Sequence, residues 1–563
     1  MDDVDAVQAQ IARNMLDSGD WVSARLNGVL YLEKSPLGYW MTVLSFIVFG
    51  VHDWAARIPF ALCTIALCWL TARIGDWAFT ARAGFYAGLA LATCIGLWLF
   101  TRILIPDVVL TLTIALALWS FLRALDEEEP RPRAWAAVMA ASIASGMLLK
   151  GLIAAVFPIG AAVVYLLITR QLFARRTWDR LHGPSGVVIA LVIAAPWHVL
   201  ATLRNPPYFD FTMKSEPGHY HGFFWFYFFN EHVFRFLNMR FPRDYNTVPR
   251  PLFWLLHFVW FFPWSAWFFN TVKLEYRGSE RGHRTRLLAL CWIGFVMVFF
   301  TFSTTQEYYS MPIYPALALL LGCAIDREAR WPFRVVSAIA GLAALAILLI
   351  LVQVWNLPAP GDISQALTQH PEAYTLSLGH MGDLTIESFA YLRTPLIVAG
   401  IAFVIGVVGG WRRSVAAIAA MMVVLFHAAR IALVTFNPYL GSYELADALN
   451  RAPAGRLIVD DQYYTFSSIF FYANERAKNA YLLNGRVNNL EYGSNAPGAP
   501  QVFIDDARLK ELWPQPQFFY LVAEKPAVPR IEGVVGKGNL YLVKESGGKY
   551  LYSNQSFNSS RTP

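Results

Sequence analysis

Long apolar runs separated by short polar breaks organise most of this chain. Stretches such as 58–72, 109–122, 152–168 and 335–352 approach or match the ~17–25 residues that cross a bilayer. The full pattern predicts twelve membrane segments: roughly 57–74, 83–102, 107–124, 134–149, 152–169, 185–203, 251–271, 286–303, 310–325, 334–354, 393–411 and 413–434. The breaks alternate in charge. One set carries Arg73 and Arg82; Arg131 and Arg133; Arg170, Arg175, Arg176 and Arg180; Lys273, Arg277, Arg281, Arg284 and Arg286; Arg327, Arg330 and Arg334; and Arg412 and Arg413. The breaks near Pro106, Lys150, 304–309 and 357–392 carry few basic residues. Basic loops face the cytoplasm, so this parity places 1–56, 204–250 and 435–563 on the outer side.

Two shorter amphipathic stretches precede the first span. Residues 5–16 place Val7, Ile11, Met15 and Leu16 at near-helical spacing, and 37–49 is short and apolar. Both read as helices lying in the outer interface, with Tyr31-Leu32-Glu33-Lys34-Ser35-Pro36 between them. The loop 204–250 is dense in aromatics and histidine, a composition suited to the membrane surface. From about Tyr439 the pattern changes to β-like runs at 456–459, 518–522 and 540–543 between helical and Gly/Pro-rich pieces, predicting a small C-terminal α/β domain. The expected organisation is therefore an outer-face segment 1–56, a membrane domain 57–434 that includes the loop 204–250, and an outer α/β domain 435–563.

Composition excludes the soluble alternatives. Of 563 residues, 56% are hydrophobic and 15% charged, against roughly 25% charged in an ordinary soluble domain. The net charge of +7 lies in the arginine-rich breaks and does not point to nucleic acid. Cys63, Cys68, Cys94, Cys291 and Cys323 all fall in apolar segments without metal-ligand spacing, and read as small core residues. The acidic opening Met1-Asp2-Asp3-Val4-Asp5 does not read as a signal peptide.

A carboxylate at bilayer depth needs a reason. Asp107, just after Pro106, fits a helix N-terminal acid or a carboxylate aimed at a substrate proton or cation. Glu33 and Lys34 fit a solvated pair or part of a site. Lys150 fits a snorkelling lysine or a lipid-phosphate ligand. Glu231-His232, Arg235 and Arg240 follow the aromatic run, and Gln306-Glu307-Tyr308-Tyr309 forms a polar turn between spans. Asp2, Asp3 and Asp5 precede the first amphipathic helix. Together these place acids, bases and aromatics on one side of the membrane, around an apolar groove.

The blocks 9–21 and Tyr31–Trp40, followed by Asp107, Lys150-Gly151, Glu231-His232 with Arg235, and the turn 306–309, resemble the GT-C glycosyltransferases that use polyprenyl-phosphate sugars. Within them the chain is most similar to the lipid A aminoarabinose transferase and bacterial protein mannosyltransferase branch. The resemblance implies a polytopic α-helical GT-C fold in the bacterial inner membrane with a periplasmic C-terminal domain. It implies transfer, with inversion, of a sugar from an undecaprenyl-type phosphate to lipid A, protein or an envelope glycan. It also implies roles: Asp5, Asp3 and Asp107 catalytic; Lys34, Lys150, Arg235 and Tyr309 around the donor phosphate; Glu33 and His232 ligands of a divalent cation (Zn, Mg or Mn). Three departures stand out. The family acid, 29 residues before Glu33, falls on Val4, with Asp3 and Asp5 as neighbours. The family's Pro after Glu-Lys is Ser35. The family's first span has no counterpart here, which leads to the expectation that the natural chain starts upstream. The rival readings are a transporter or flippase for a polyprenyl-linked lipid, which would be expected to show internal repeats, and a structural membrane subunit.

Overall fold

A computed structural model describes every residue except 215–216, 243–246, 370–378 and 558–563. Parts of the loop 204–250, of the break 357–392 and of the tail therefore lie outside the described residues.

The chain opens with helix α1 (Asp3–Ser18). The Asp2 side chain caps it by accepting from the Asp5 N–H at 3.0 Å, and Gly19, at φ 70°, closes it. A short hairpin, β1 (Arg25–Leu26) and β2 (Val29–Leu30), follows. Helix α2 (Leu37–Phe49) buries Tyr39, Val43 and Phe46 and leaves Leu44, Ile47 and Val48 exposed. An apolar outer face of this kind suits contact with lipid.

Next come α3 (Asp53–Ala78), α4 (Ala81–Ala92), α5 (Ile95–Thr101), α6 (Asp107–Leu125), α7 (Pro132–Lys150), α8 (Ile153–Ile168), α9 (Arg175–Leu181) and α10 (Gly183–Arg204). Among the described residues nine helices are long and apolar enough to cross a membrane: α3, α6, α7, Arg175–Arg204, Arg281–Thr301, Glu307–Asp326, Trp331–Val354, Arg393–Arg412 and Val415–Leu440. The other three expected segments are helical but irregular. Segment 83–102 is the pair α4 and α5, bent by 50°. There the Thr93 hydroxyl donates to the Leu89 carbonyl and accepts from the Trp264 indole. Segment 251–271 is Arg250–Trp260 followed by Trp264–Thr271, bent by 102°; Pro263 stands in the break and lacks the N–H that would continue the helix. Segment 152–169 is α8, whose 16 residues rise only ~24 Å.

Two polar faces bound the helices. At one, Arg281 pairs with Asp126 and Glu128 at 2.7 Å each, Arg176 with Glu127 at 2.8 Å and Arg82 with Asp326 at 3.2 Å. These arginines belong to the basic breaks read from sequence. At the other, the turns before α6 and after α7 meet the segment 304–309. The strongly bent segment runs between the faces. Just before it the Val248 N–H bonds the Thr305 carbonyl, and just after it Arg281 holds Asp126.

The tail forms a six-stranded sheet in the order β5-β4-β3-β6-β8-β7. Strands β3 (Arg456–Asp460), β4 (Tyr481–Leu483), β5 (Phe503–Ile504) and β6 (Phe519–Glu524) are parallel, and β7 (Tyr541–Ser546) with β8 (Lys549–Ser553) adds an antiparallel edge. β3 and β6 are buried along most of their length, on both faces, as a covered parallel sheet requires. This sheet docks on α1. Lys549 Nζ, 5% exposed, pairs with Asp3 at 2.6 Å and donates to Ser442 Oγ at 3.2 Å. Asp3 also accepts from the Ser468 N–H and the Ser442 hydroxyl. Replacing one partner of such a buried pair strands the other, at about 3–5 kcal/mol. Lys549→Met is therefore expected to lower the thermal unfolding midpoint and to release the tail to limited proteolysis. An unchanged midpoint and cleavage pattern would show that the pair does not hold the tail.

Candidate active site

The turn between α5 and α6 lies against Asp5 and ends at Asp107. Asp5 is fully buried in α1; its Oδ1 accepts from the Leu104 N–H at 2.7 Å and its Oδ2 pairs with Arg57. Arg57 also donates to the Arg102 carbonyl, and Arg102 reaches Asp2 at 3.4 Å. Burial pushes the Asp5 carboxyl up to about 6, with Asp2 adding to the rise and Arg57 opposing it. Three residues after Leu104, Asp107 opens α6. Its Oδ1 accepts from Lys150 Nζ at 2.6 Å, while its Oδ2 is buried and has no partner among the described residues. The ammonium of Lys150 lies 5.0 Å from the Tyr308 ring centre and 4.9 Å from that of Tyr309, a cation–π cage in a place with little water. Asp107, Lys150 and Tyr309 thus meet. Tyr308 joins them, and Arg57 was not legible as the partner of Asp5.

Glu33 and Glu231 are held by one guanidinium. Arg240 donates to Glu33 Oε1 at 2.7 Å and to Glu231 Oε1 at 2.5 Å, and Arg235 pairs with Glu231 Oε2 at 2.7 Å. Against the cost of burial, Arg240 and Arg235 hold the Glu231 carboxyl down to about 2. For Glu33 burial wins over Arg240 and its carboxyl is raised. Tyr31 donates to Glu33 Oε2 at 3.1 Å and shares a hydrogen bond with Tyr464 of the tail at 3.0 Å. Glu231 and His232 sit on a ten-residue π-helix, Trp225–Phe234; such widened turns are frequent at functional sites.

His232 fixes the end of α7. Its Nδ1–H donates to the Tyr227 carbonyl at 2.5 Å and its Nε2 accepts from the Leu152 N–H at 3.0 Å. Burial lowers its basicity, which keeps the imidazole neutral as this bonding requires. Gly151, at φ 71°, turns the chain under the ring, where a Cβ would collide with His232 and the Tyr227 hydroxyl. That hydroxyl also bonds Ser35, whose Oγ donates to the Met147 carbonyl at 3.0 Å. Ser35 thus ties the Glu33-Lys34 loop to the last turn of α7, a link that a proline there could not make.

Glu33 and His232 do not fit a metal. Glu33 is occupied by Arg240 and Tyr31, and both His232 nitrogens are bonded to backbone. Among the described residues no three His, Cys, Asp or Glu side chains gather as a metal would need. Chelation by EDTA is accordingly expected to leave the protein's unfolding midpoint unchanged. A lower midpoint, restored by Zn, Mg or Mn, would contradict this arrangement.

Lys34 differs from every other cation here: it donates no hydrogen bond and forms no ion pair among the described residues. Burial, with Arg235 and Lys150 nearby, pulls its ammonium down to about 8. It lines two narrow clefts. One runs between Gln8, Ser35, Tyr39, Leu104 and Pro106, the other between Tyr31, Leu32, Trp197 and Phe223. Leu104 and Pro106 bring the first cleft next to both Asp5 and Asp107. Asp3 is apart from this group, in the joint with the tail.

The sequence pattern of the dolichyl-phosphate-mannose-protein mannosyltransferase family matches residues 33–199. The chain is 28% identical over 360 residues to the undecaprenyl phosphate-alpha-4-amino-4-deoxy-L-arabinose arabinosyl transferase of Aeromonas salmonicida, covering 61% of this chain and 60% of that one. It is 29% identical over 356 residues to the enzyme of the same name from Pseudomonas aeruginosa, covering 61% and 58%. The match thus spans less than two thirds of these relatives' own length. Among solved structures, ArnT from Cupriavidus metallidurans bound to undecaprenyl phosphate superposes with a TM-score of 0.78, at 22% identity, over 98% of this chain and 94% of that one. The chain shares the fold of that structure. The resemblance read from the Glu33-Lys34 block is borne out, and this is a polytopic α-helical membrane protein. The apo form of the same transferase superposes with a TM-score of 0.75.

Proposed function

We propose that this GT-C protein transfers a sugar from a polyprenyl-phosphate donor to an acceptor at the outer membrane face. The observation that carries the reading is Lys34: a cation without a partner, in a cleft flanked by the Asp107–Lys150 pair. The named relatives use undecaprenyl-phosphate aminoarabinose, and a lipid A-type acceptor is the corresponding choice here, with protein or envelope glycan as the others. Twelve membrane crossings, the tail on the periplasmic side and residence in the bacterial inner membrane complete the proposal. The gathering of the basic breaks at one polar face supports the orientation.

In this reading the glycosyl–phosphate bond breaks beside Lys34, which stabilises the anionic polyprenyl phosphate as it forms. Lys150 and Arg235 hold the surrounding positive field, and Tyr309 with Tyr308 keeps Lys150 dry and oriented. Arg240 fixes Glu33 and Glu231, and so the loop that carries Lys34. Asp107, through Oδ2, orients or deprotonates the attacking acceptor group, and a single displacement inverts the anomeric centre. Asp5 braces the 102–107 turn through Arg57 and Leu104. Asp3 acts on the fold, through Lys549.

The test compares membranes with and without the protein, supplied with a panel of labelled polyprenyl-phosphate sugars. Label is expected to enter the lipid A, protein or glycan fraction from one donor only when the protein is present. No protein-dependent label in any fraction from any donor would overturn the reading.

A further inference from the structure

We propose that the arginine-rich face carries a second binding site, for a phosphate group, at the end of the molecule opposite Lys34. Helix ends meet there around a cavity of about 1250 Å³. The C-terminal ends of α3 and α6, the start of α4, the turn before Arg281–Thr301 and the end of Tyr314–Asp326 all contribute. The cavity therefore lies at the depth where membrane helices end and lipid phosphates begin. It exceeds the ~300–1,000 Å³ of ordinary ligand pockets, and so has room for a head group rather than a lone ion.

The acids of this cavity are paired. Asp126 and Glu128 hold Arg281, Glu127 holds Arg176, Asp326 holds Arg82, and Glu280 faces His283 at 3.6 Å. Four of its arginines donate to backbone carbonyls and form no ion pair among the described residues. Arg180 donates to the Ala124 and Asp126 carbonyls, Arg284 to that of Leu125, Arg286 to that of Glu275 and Arg327 to that of Lys273. Arg284 also reaches the Tyr165 hydroxyl at 3.4 Å, and Arg286 lies 5.5 Å from the Phe79 ring centre. No carboxylate forms an ion pair with any of the four among the described residues; the exposed Glu275 carboxylate is bonded to His283 and lies within electrostatic reach of Arg286 and Arg327, which leaves Arg180 and Arg284 as the least compensated.

A carbonyl satisfies a guanidinium N–H but not its charge. Three of the carbonyls, those of Ala124, Leu125 and Asp126, close α6, and a helix end offsets only about half a charge. The rest of the positive charge faces the cavity. Arginine forks match phosphate geometry, and basic pockets between membrane helices at a polar face suit anionic head groups. The shared chemistry is a phosphate, from an anionic phospholipid or from solution. This site does not depend on the transfer reaction at the other face.

The test uses the full-length protein in detergent, titrated with phosphatidylglycerol, phosphatidylcholine and inorganic phosphate, with bound ligand counted by native mass spectrometry. Phosphatidylglycerol is expected to bind at least about ten-fold more tightly than phosphatidylcholine. Each arginine removed is expected to weaken it about five-fold: about five-fold in Arg327→Gln, about 25-fold in Arg284→Gln/Arg327→Gln. Arg327 is exposed, so its single variant leaves the helix packing untouched. Phosphatidylcholine binding should not change. Inorganic phosphate that binds alone and is lost in the variants supports the site with solution phosphate as its source. Equal binding of the two lipids, with no phosphate binding sensitive to Arg284 or Arg327, overturns the proposal.

Discussion

Lys34→Met is expected to lower donor turnover by ~10²–10³, the usual effect of removing one group aimed at developing negative charge. The variant should fold at least as well as the wild type. Lys34 has no partner to lose, and the depression of its ammonium to about 8 means that the fold disfavours its charged form. The sign follows from linkage. Unfolded lysine keeps its proton to about 10.5, so between pH 8 and 10.5 the unfolded chain binds more protons and stability rises with pH. Below pH 8 the penalty is fully present, and methionine removes it. Loss of turnover with an unfolding midpoint that holds or rises would mark Lys34 as functional. A fall in both would mark it as structural. The same shift predicts a pH limb. Donor phosphate needs the charged ammonium, so kcat/KM should fall about ten-fold per unit above pH 8. In Lys34→Arg, whose guanidinium stays protonated, that limb should vanish. A limb that survives the arginine substitution belongs to another group.

Asp107→Asn should have a comparable effect, ~10²–10⁴ if the carboxylate handles a proton. Two causes must be separated. Asparagine leaves Lys150 buried without its counter-charge, which destabilises by about 3–5 kcal/mol. It also removes the basic Oδ2, which is buried beside the cleft wall with no partner among the described residues. The double variant Asp107→Asn/Lys150→Met distinguishes them. If Asp107 only neutralises Lys150, the double variant recovers turnover together with stability. If Asp107 acts on the acceptor, stability returns and turnover does not; the second outcome is the expected one.

The membrane helices were legible because lipid demands long apolar runs. Each expected segment is helical, and the irregular ones fail for local reasons: a Pro263 break, a bend at Thr93 and a helix of 16 residues. The basic breaks gathered at one face because each charged turn needs water. In the tail, β3, β6 and β7 showed as apolar runs, whereas β4 and β5 are two or three residues long and gave no pattern of their own. Of the site, the Glu33-Lys34 block, Asp107, Lys150 and the tyrosine turn were visible as polar residues misplaced in apolar sequence. Their partners were not. Arg57 lies 52 residues from Asp5, Arg240 lies 207 from Glu33, and Lys549 lies 546 from Asp3. Each looks like an ordinary surface charge until the chain closes. The same distance hides what lies between Glu33 and Glu231: the cation there is Arg240, from a loop whose fold the sequence does not reveal.

The central claim is that a sugar leaves a polyprenyl phosphate beside Lys34 and Asp107. Its most direct test is release of free polyprenyl phosphate from the cognate sugar donor by purified protein, with acceptor extract present. Wild type, Lys34→Met and Asp107→Asn would be compared at equal folded abundance. The account predicts release by wild type and at least a hundred-fold less by either variant. Release that proceeds equally in all three proteins, or that is absent from folded wild type with every donor, would contradict it.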